Sequence, residues 1–392
     1  MKPAVFLIVL LTLVGSGSVS GSRIFYQGAG SRASDFDGDG SVAFSDFLAF
    51  ANRFGETDQT PEFDPAFDLD SDGSIGFGDF LQFASAFGTT GQPQLFPDYV
   101  LYVVDSGTSL IDVFELSTHL HQEFLPFRVP TGIVVSEDQQ RVFVTEQFGL
   151  FVLDTDHRVL LSIPTVGPGR MALSADERTV YLGEQMNNLI RIVDLDLQNA
   201  IDTVQVGPGP SELDLSRDGR WLYTLNASDI SVVDLSQPAE VLRIDVNGSP
   251  GAIEISPDGR TAYYTLVNRG AVGVLDLVTN HIVGEIALDA RRANELKLSL
   301  GGDRLYVNAD VSLLEIDTDR NLVVRSLRVG EATSALGLTP DGVWAYVGTL
   351  EPAIFRPVVA VVDLEAWEVV GRIQGLSFPL EIEFRQTTRP GN

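Results

Sequence analysis

Residues 251–288 read GAIEISPDGRTAYYTLVNRGAVGVLDLVTNHIVGEIAL, four short apolar runs divided by turn residues. Pro257, Asp258 and Gly259 supply a tight turn after the first run, because proline presets one turn dihedral and glycine accepts a positive φ. The aromatic-rich second run, TAYYTL, suits a pleated strand, as do the third (AVGVLDL) and the fourth (IVGEIAL). The same turn recurs as SEDQQ from Ser136, SADER from Ser174, SRDGR from Ser216, SLGGD from Ser299 and TPDGV from Thr339. Successive gaps, with Ser256 included, are 38, 42, 40, 43 and 40 residues. A period of this size with four strand-like runs per repeat predicts a β-propeller, one four-stranded blade per repeat. The second run occurs seven times, as YVLYVVD, RVFVTE, TVYLGE, WLYTLN, TAYYTL, RLYVNA and WAYVGT, which predicts seven blades. The series opens on a second strand at Tyr99 and ends on a first strand, PLEIEF at 379–384. The C-terminal strand is therefore expected to complete the first blade, closing a mainly β ring over residues 98–388 and removing its open edges.

Polar residues that recur in the ring have competing readings. Asp154, Asp194, Asp234, Asp276, Asp317 and Asp363 end the third strands at blade spacing, with Glu115 in the first blade. They could form a carboxylate ring, but turn capping is favoured, each side chain accepting from free backbone amides. His119, His121, His157 and His281 are the four histidines, and all fall in hairpins between third and fourth strands. They are expected to be solvent-exposed there, and a lone His119-x-His121 pair has too few ligands for zinc. On the opposite face, Asp105, Glu146 and Glu184 end second strands, Arg170, Arg291 and Arg292 are placed in loops entering first strands, and the loop 348–357 is longer. Such a funnel could receive a polar ligand, a glycan or a peptide, although ordinary loop polarity is the favoured account. No catalytic residue is assigned.

A second duplication precedes the ring. DFDGDGSVAFSDFLAFANRFG from Asp35 and DLDSDGSIGFGDFLQFASAFG from Asp68 align at an offset of 33. Calcium takes six to eight oxygens, and alternate carboxylates on a tight loop deliver them. Asp35, Asp37 and Asp39, then Asp68, Asp70 and Asp72, occupy loop positions 1, 3 and 5. Gly40 and Gly73 take the sharp turn, Ser41 and Ser74 offer backbone carbonyls, and Asp46 and Asp79 close the loops at position 12. Two calcium ions are expected, and magnesium stays open because aspartate reaches less far than glutamate at position 12. Val42 and Ile75, at position 8, suit a short strand pairing between the loops. Phe47, Leu48, Ala51 and Phe54, with Phe80, Leu81, Ala84 and Phe87, repeat at helical spacing after each loop. Residues 35–88 carry twelve acids and one base, Arg53, so folding of this small module is expected to depend on bound cations. Residues 89–97, within GTTGQPQLFP, read as a linker to the ring.

Residues 1–20 combine Lys2, an apolar run from Ala4 to Val14, and small Ser18 and Ser20 before a cleavage point. That is the pattern of a signal peptide, so the mature chain is expected to be secreted. Across all 392 residues, 54 acids against 26 bases leave a charge of −28, which argues against nucleic acid as a partner. The absence of cysteine excludes disulfides, thiolate metal sites and cysteine nucleophiles.

The paired loops resemble dockerin modules, calcium-binding units that dock secreted enzymes onto cohesin scaffolds: aspartate stands at position 12, an apolar helix follows each loop, and no entering helix is evident before Asp35. Position 9, usually Asn or Asp in dockerins, holds Ala43 and Gly76; positions 10 and 11, which dockerins use for partner choice, hold Phe44–Ser45 and Phe77–Gly78. The resemblance implies calcium binding and a cohesin-like or cell-surface protein partner. The ring repeats resemble YVTN-type seven-bladed propellers, with WLYTLN, ISVVDL, VQVGPGP and SPDG at matching places. This second resemblance implies architecture rather than activity, since the fold hosts many functions. The expectation is a secreted, non-catalytic calcium-binding protein whose propeller presents a protein- or glycan-binding face. The alternative is a propeller enzyme of lactonase-like or lyase-like hydrolysis, targeted by the dockerin-like module.

Overall fold

A computed structural model describes residues 25–27, 34, 36, 42, 44–60, 63–64, 67–69, 73–87, 99–116, 120–351 and 355–386. The expected leader and linker lie outside them. Seven antiparallel sheets succeed one another around a ring, and each holds four consecutive strands except where the termini intervene. In the first blade the innermost strand is Pro379–Gln386, beside Tyr99–Asp105, Leu110–Glu115 and Leu120–Pro126. Tyr99 lies opposite Gln386 and Asp105 opposite Pro379, so the C-terminus closes the ring as expected.

Burial explains why the second and third strands read as continuous apolar runs. Tyr99–Asp105 is buried at all seven positions, whereas the fourth-strand segment His281–Ala287 is buried only at Ile286. A strand sandwiched between neighbouring blades hides both faces, while the rim strand meets water. One aromatic per blade fills the space to the next sheet: Tyr102, Phe143, Tyr181, Tyr223, Tyr263, Tyr306 and Tyr346 are all buried. Tyr346, for example, meets the Phe384 ring of the first blade edge-on at 5.1 Å, and Tyr263 joins Leu305 and Val307 of the sixth.

The turn between first and second strands is rebuilt in six blades with the same bonds. Ser256 Oγ donates to Asp258 Oδ1 at 2.6 Å and accepts from the Thr261 amide at 3.0 Å. Ser136, Ser174, Ser216 and Thr339 repeat the arrangement, and Ser299 does so with Asp303, four residues on, as acceptor. The fourth turn residue has a left-handed backbone: Gly219, Gly259, Gly302 and Gly342 at φ from 67° to 73°, Gln139 at 62° and Glu177 at 53°.

A fifth strand, Phe25–Gln27, lines the outer edge of the seventh blade, antiparallel to Glu368–Ile373. The repeat pattern does not anticipate it. The chain then passes through the acidic module before entering the first blade at Tyr99, so the module is tied to the ring at both ends.

The module holds two helices, α1 (Phe44–Arg53) and α2 (Phe77–Ala86). Phe36 stacks with Phe67 at 4.2 Å, and Phe50 with Phe83 at 5.5 Å, over buried Val42, Leu69 and Ile75. One expectation is corrected here. Ile75 does not pair with Val42: its backbone bonds to Gly55 and Glu56 after α1, because the chain leaving that helix returns alongside the second loop. The helices stand where the spacing places them; their small core takes Phe50 and Phe83, and Leu48, Ala51, Phe54, Leu81, Ala84 and Phe87 are exposed. Each helix is apolar on more than one face, and a core this small takes only one of them.

Candidate functional sites: paired acidic loops and a charged central channel

Of the ten loop residues expected to hold calcium, Asp46, Asp68, Ser74 and Asp79 are described; Asp35, Asp37, Asp39, Ser41, Asp70 and Asp72 lie outside the described residues. The two closing aspartates are the most enclosed, with Asp46 0% and Asp79 1% exposed. Both stand in the first turn of their helices, where unpaired amides favour a carboxylate. Asp46 Oδ1 accepts from the Phe36 amide and Asp79 Oδ2 from the Gly76 amide, each at 2.6 Å. Asp68 Oδ2 accepts from the Gly73 amide at 2.9 Å, across a turn for which Gly73 adopts φ 85°. Ser74 bridges to Thr57. Among the described residues, no three of these side chains converge on a metal-sized point.

Outside this core the helices leave a duplicated apolar surface. Phe44 and Phe77 are 63% and 67% exposed, Leu48 and Leu81 48% and 54%, Phe54 and Phe87 52% and 49%. Equivalent residues of the two halves are therefore exposed to nearly equal extents. Large exposed apolar side chains repeated in both halves are the kind of feature that marks an interaction surface.

In the propeller, the end-of-strand aspartates are turn caps. Asp276 Oδ1 accepts from the amides of Val278 and Thr279, and Asp154, Asp194, Asp234, Asp317 and Asp363 act likewise. The three acids placed at the funnel are engaged in the same manner. Asp105 accepts from Ser377 and Phe378 amides at 2.6 and 2.8 Å, Glu146 from the Arg128 amide at 2.6 Å, and Glu184 binds Asn187 and Arg191. They hold loops and form no common cluster.

Two of the histidines are not exposed as expected. His157 bonds through Nε2 to the Tyr102 hydroxyl at 2.8 Å and through Nδ1 to Glu123 at 2.5 Å, while Arg385 Nε donates to the same hydroxyl at 3.0 Å. This chain joins the closing strand to the first and second blades, so the imidazole is buried as a seam residue. His121 lies between Phe114 and Phe124, 3.3 Å from the buried carboxylate of Asp112. His281 is exposed; His119 lies outside the described residues.

Arg170 is the largest correction. It is the third residue of the strand Pro168–Leu173 rather than a loop residue, and its guanidinium reaches into the channel. It pairs with Glu212 of the fourth blade at 2.9 Å, Glu295 of the sixth at 3.0 Å, and Glu381 of the first. Glu381 in turn accepts from the Ile133 amide of the second blade at 3.0 Å. Two residues further along the inner strands, side chains again point inward. Lys297 pairs with Glu254 at 2.6 Å, Asp214 accepts from the Ile255 amide at 2.9 Å, and Glu383 faces Lys297. Six carboxylates thus share two cations. Burial pushes Glu383 up to about 8 and Asp214 up to about 7, and raises Glu212 and Glu295. Burial opposes the charges of Arg170 and Lys297, but surrounding glutamates more than offset it and hold both pKa values above the ordinary range.

These inner-strand residues were missed by sequence reasoning, though a signal exists. ELDL, AIEI, NELKL and LEIEF place charges at alternate positions of a strand whose other side is apolar. At the end of the channel beside the first-to-second-strand turns there is a cavity of about 230 Å³ bordered by Lys297, Leu338, Ile382, Glu383 and Phe384. A second hollow, about 350 Å³, lies against Asp214, Arg217 and Pro257, and Leu300 borders both.

No family model matches the chain, and no curated protein matches it. Among solved structures, hydrazine synthase of Kuenenia stuttgartiensis is similar at 20% identity and TM-score 0.53, covering 60% of this chain and 77% of that one. A Bacteroides uniformis protein, provisionally described as a 6-phosphogluconolactonase, is similar at 18% identity and TM-score 0.60, covering 73% of this chain and 99% of that one. At these identities the likeness shows the fold alone.

Proposed function

We propose that the chain is a secreted docking protein in which residues 35–88 bind two calcium ions and present a protein-binding surface, while the propeller serves as a rigid platform. The observation that carries this reading is the duplicated exposure of Phe44, Leu48 and Phe54 with Phe77, Leu81 and Phe87. A module that merely clamped the ring would have no use for two matched sets of apolar side chains facing water. The charge arithmetic supports the metal: twelve acids and one base leave a deficit that cations from solution must meet. Asp35, Asp37, Asp39, Ser41 and Asp46 would hold one ion and Asp68, Asp70, Asp72, Ser74 and Asp79 the other. The partner is a protein, cohesin-like or carried on the cell surface, because large exposed apolar side chains suit a protein groove better than a hydroxylated glycan.

The test is calorimetric titration of the mature chain with calcium, followed by capture from the organism's secreted fraction. Two ions per chain are expected, with a partner captured in calcium, lost in EGTA, and lost for the double variant Phe77→Ser, Leu81→Ser that still binds calcium. A partner retained by the 98–392 fragment without calcium would overturn the reading. A second reading, lactonase-like or lyase-like hydrolysis, draws on proton-carrying carboxyls in the channel. Hydrolysis of a sugar lactone by wild type that is abolished in Glu383→Gln would favour it.

A further inference from the structure

We propose that the 230 Å³ cavity at the turn end of the channel is a binding site for a small alkylammonium ion, its cationic head on Glu383 and its chain against Leu338, Ile382 and Phe384. This inference does not rest on the docking reading. The cavity is smaller than the pockets that receive drug-sized ligands, which limits the ligand to a short amine. Its walls are apolar and its floor is charged, the combination that orients an amphipathic ligand. Charge sets the sign of the head group. Lys297 is spent on Glu254 and Arg170 on Glu212, Glu295 and Glu381, whereas among the described residues Glu383 has no hydrogen bond or ion pair. Of the two charged residues bordering the cavity, Lys297 is already paired with Glu254, so an anion finds no uncommitted cation there while an ammonium finds the Glu383 carboxyl. Arg170 crosses the channel above this level, so a ligand enters and leaves through the turn end, past Leu300, which is 72% exposed.

Protonation adds a signature. Burial keeps the proton on Glu383 up to about pH 8, with Lys297, Glu254, Glu381 and Arg170 the other charged groups acting on it. Asp214 lines the neighbouring hollow. An arriving ammonium displaces that proton into solvent: R–NH3+ and the neutral acid become the ion pair plus a free H+. Affinity therefore rises between pH 6 and pH 8, and proton release makes the binding heat depend on the buffer.

The experiment titrates the mature, calcium-loaded chain with n-hexylammonium, hexanoate and hexanol at pH 7 and pH 8. Saturable hexylammonium binding is expected, stronger at pH 8, with hexanoate and hexanol at least about tenfold weaker. Glu383→Gln should lose about tenfold in affinity while melting as cooperatively as wild type. Lys297→Met, which removes the one cation bordering the cavity, should bind hexylammonium more tightly. If Glu383→Gln fails to fold, Leu338→Trp, which fills the cavity from an apolar wall, replaces it and should abolish binding. Equal binding of hexanoate, unchanged affinity in Glu383→Gln, or no hexylammonium binding by the folded chain would each overturn the proposal.

Discussion

Gly259 and Gly302 stand at the same place in two turns and separate two costs of adding a side chain. Both have a left-handed backbone, φ 70° and 73°. A Cβ on Gly259 would meet nothing within 4 Å, whereas one on Gly302 would stand 2.6 Å from Pro257 Cδ. Gly259→Ala should cost about 1 kcal/mol, the conformational term alone. Gly302→Ala should cost more, and chemical denaturation of the two variants reads the difference directly. Equal losses would mean that the proline moves aside freely. Arg170 is the other residue whose removal has a defined outcome. Arg170→Met leaves Glu212, Glu295 and Glu381 facing one another without their shared cation. Breaking a buried pair by removing one partner costs about 3–5 kcal/mol. The loss should be largest at pH 8 and shrink towards pH 5 as Glu212 and Glu295, whose pKa values burial raises, take up protons, which denaturation at the two pH values would measure.

Among the elements, the closing strand carries the most consequence. Pro379–Gln386 pairs along its length with Tyr99–Asp105, places Glu381 and Glu383 in the channel, and through Arg385 reaches the Tyr102–His157 seam. Truncation after Leu376 should yield an aggregating chain, because it reopens two strand edges and removes one wall of the channel; a soluble cooperative monomer of that length would contradict this. This element was legible in the sequence, as were all seven blades, because the Ser-x-Asp-Gly turn is local chemistry repeated at a fixed interval. Asp276 and its equivalents were legible as caps for the same reason. Phe25–Gln27 was not, since three residues outside the repeat carry no period, and their pairing depends on the free edge of Glu368–Ile373, far along the chain. The channel was not either. Alternation in ELDL or NELKL says that two side chains share a side of the strand, but only ring closure says that the side faces Arg170 and Lys297. In α1 and α2 the spacing announced helices correctly, yet spacing could not choose between Phe50 and Leu48 for the core, because both lie on apolar faces.

At the scale of the whole molecule, charge sets the response to pH. The chain is strongly acidic, and the ring draws part of that charge inward against only two cations. Glu383 has its folded pKa raised to about 8 and Asp214 to about 7, while in an unfolded chain such groups titrate near 4. Between those limits the folded state binds more protons than the unfolded one, so stability falls as pH rises. The contribution is fully present below about pH 4 and lost as pH climbs through 7 and 8. Asp138, Asp176, Asp218, Asp258 and Asp276, capped by serine, threonine and amide donors, have pKa values lowered instead, and their contribution disappears in acid. The two trends cross, placing maximal stability of the propeller near pH 5. Denaturation of the 98–392 ring should show about 2 kcal/mol more stability at pH 5 than at pH 8, an order-of-magnitude figure for a few partly solvated groups. Glu383→Gln removes one of the main contributors to the slope, Glu212 being another, because glutamine stays neutral at every pH. That variant should match wild type at pH 5 and exceed it at pH 8; a wild-type ring more stable at pH 8 would mean that the channel carboxylates are ionised and hydrated after all.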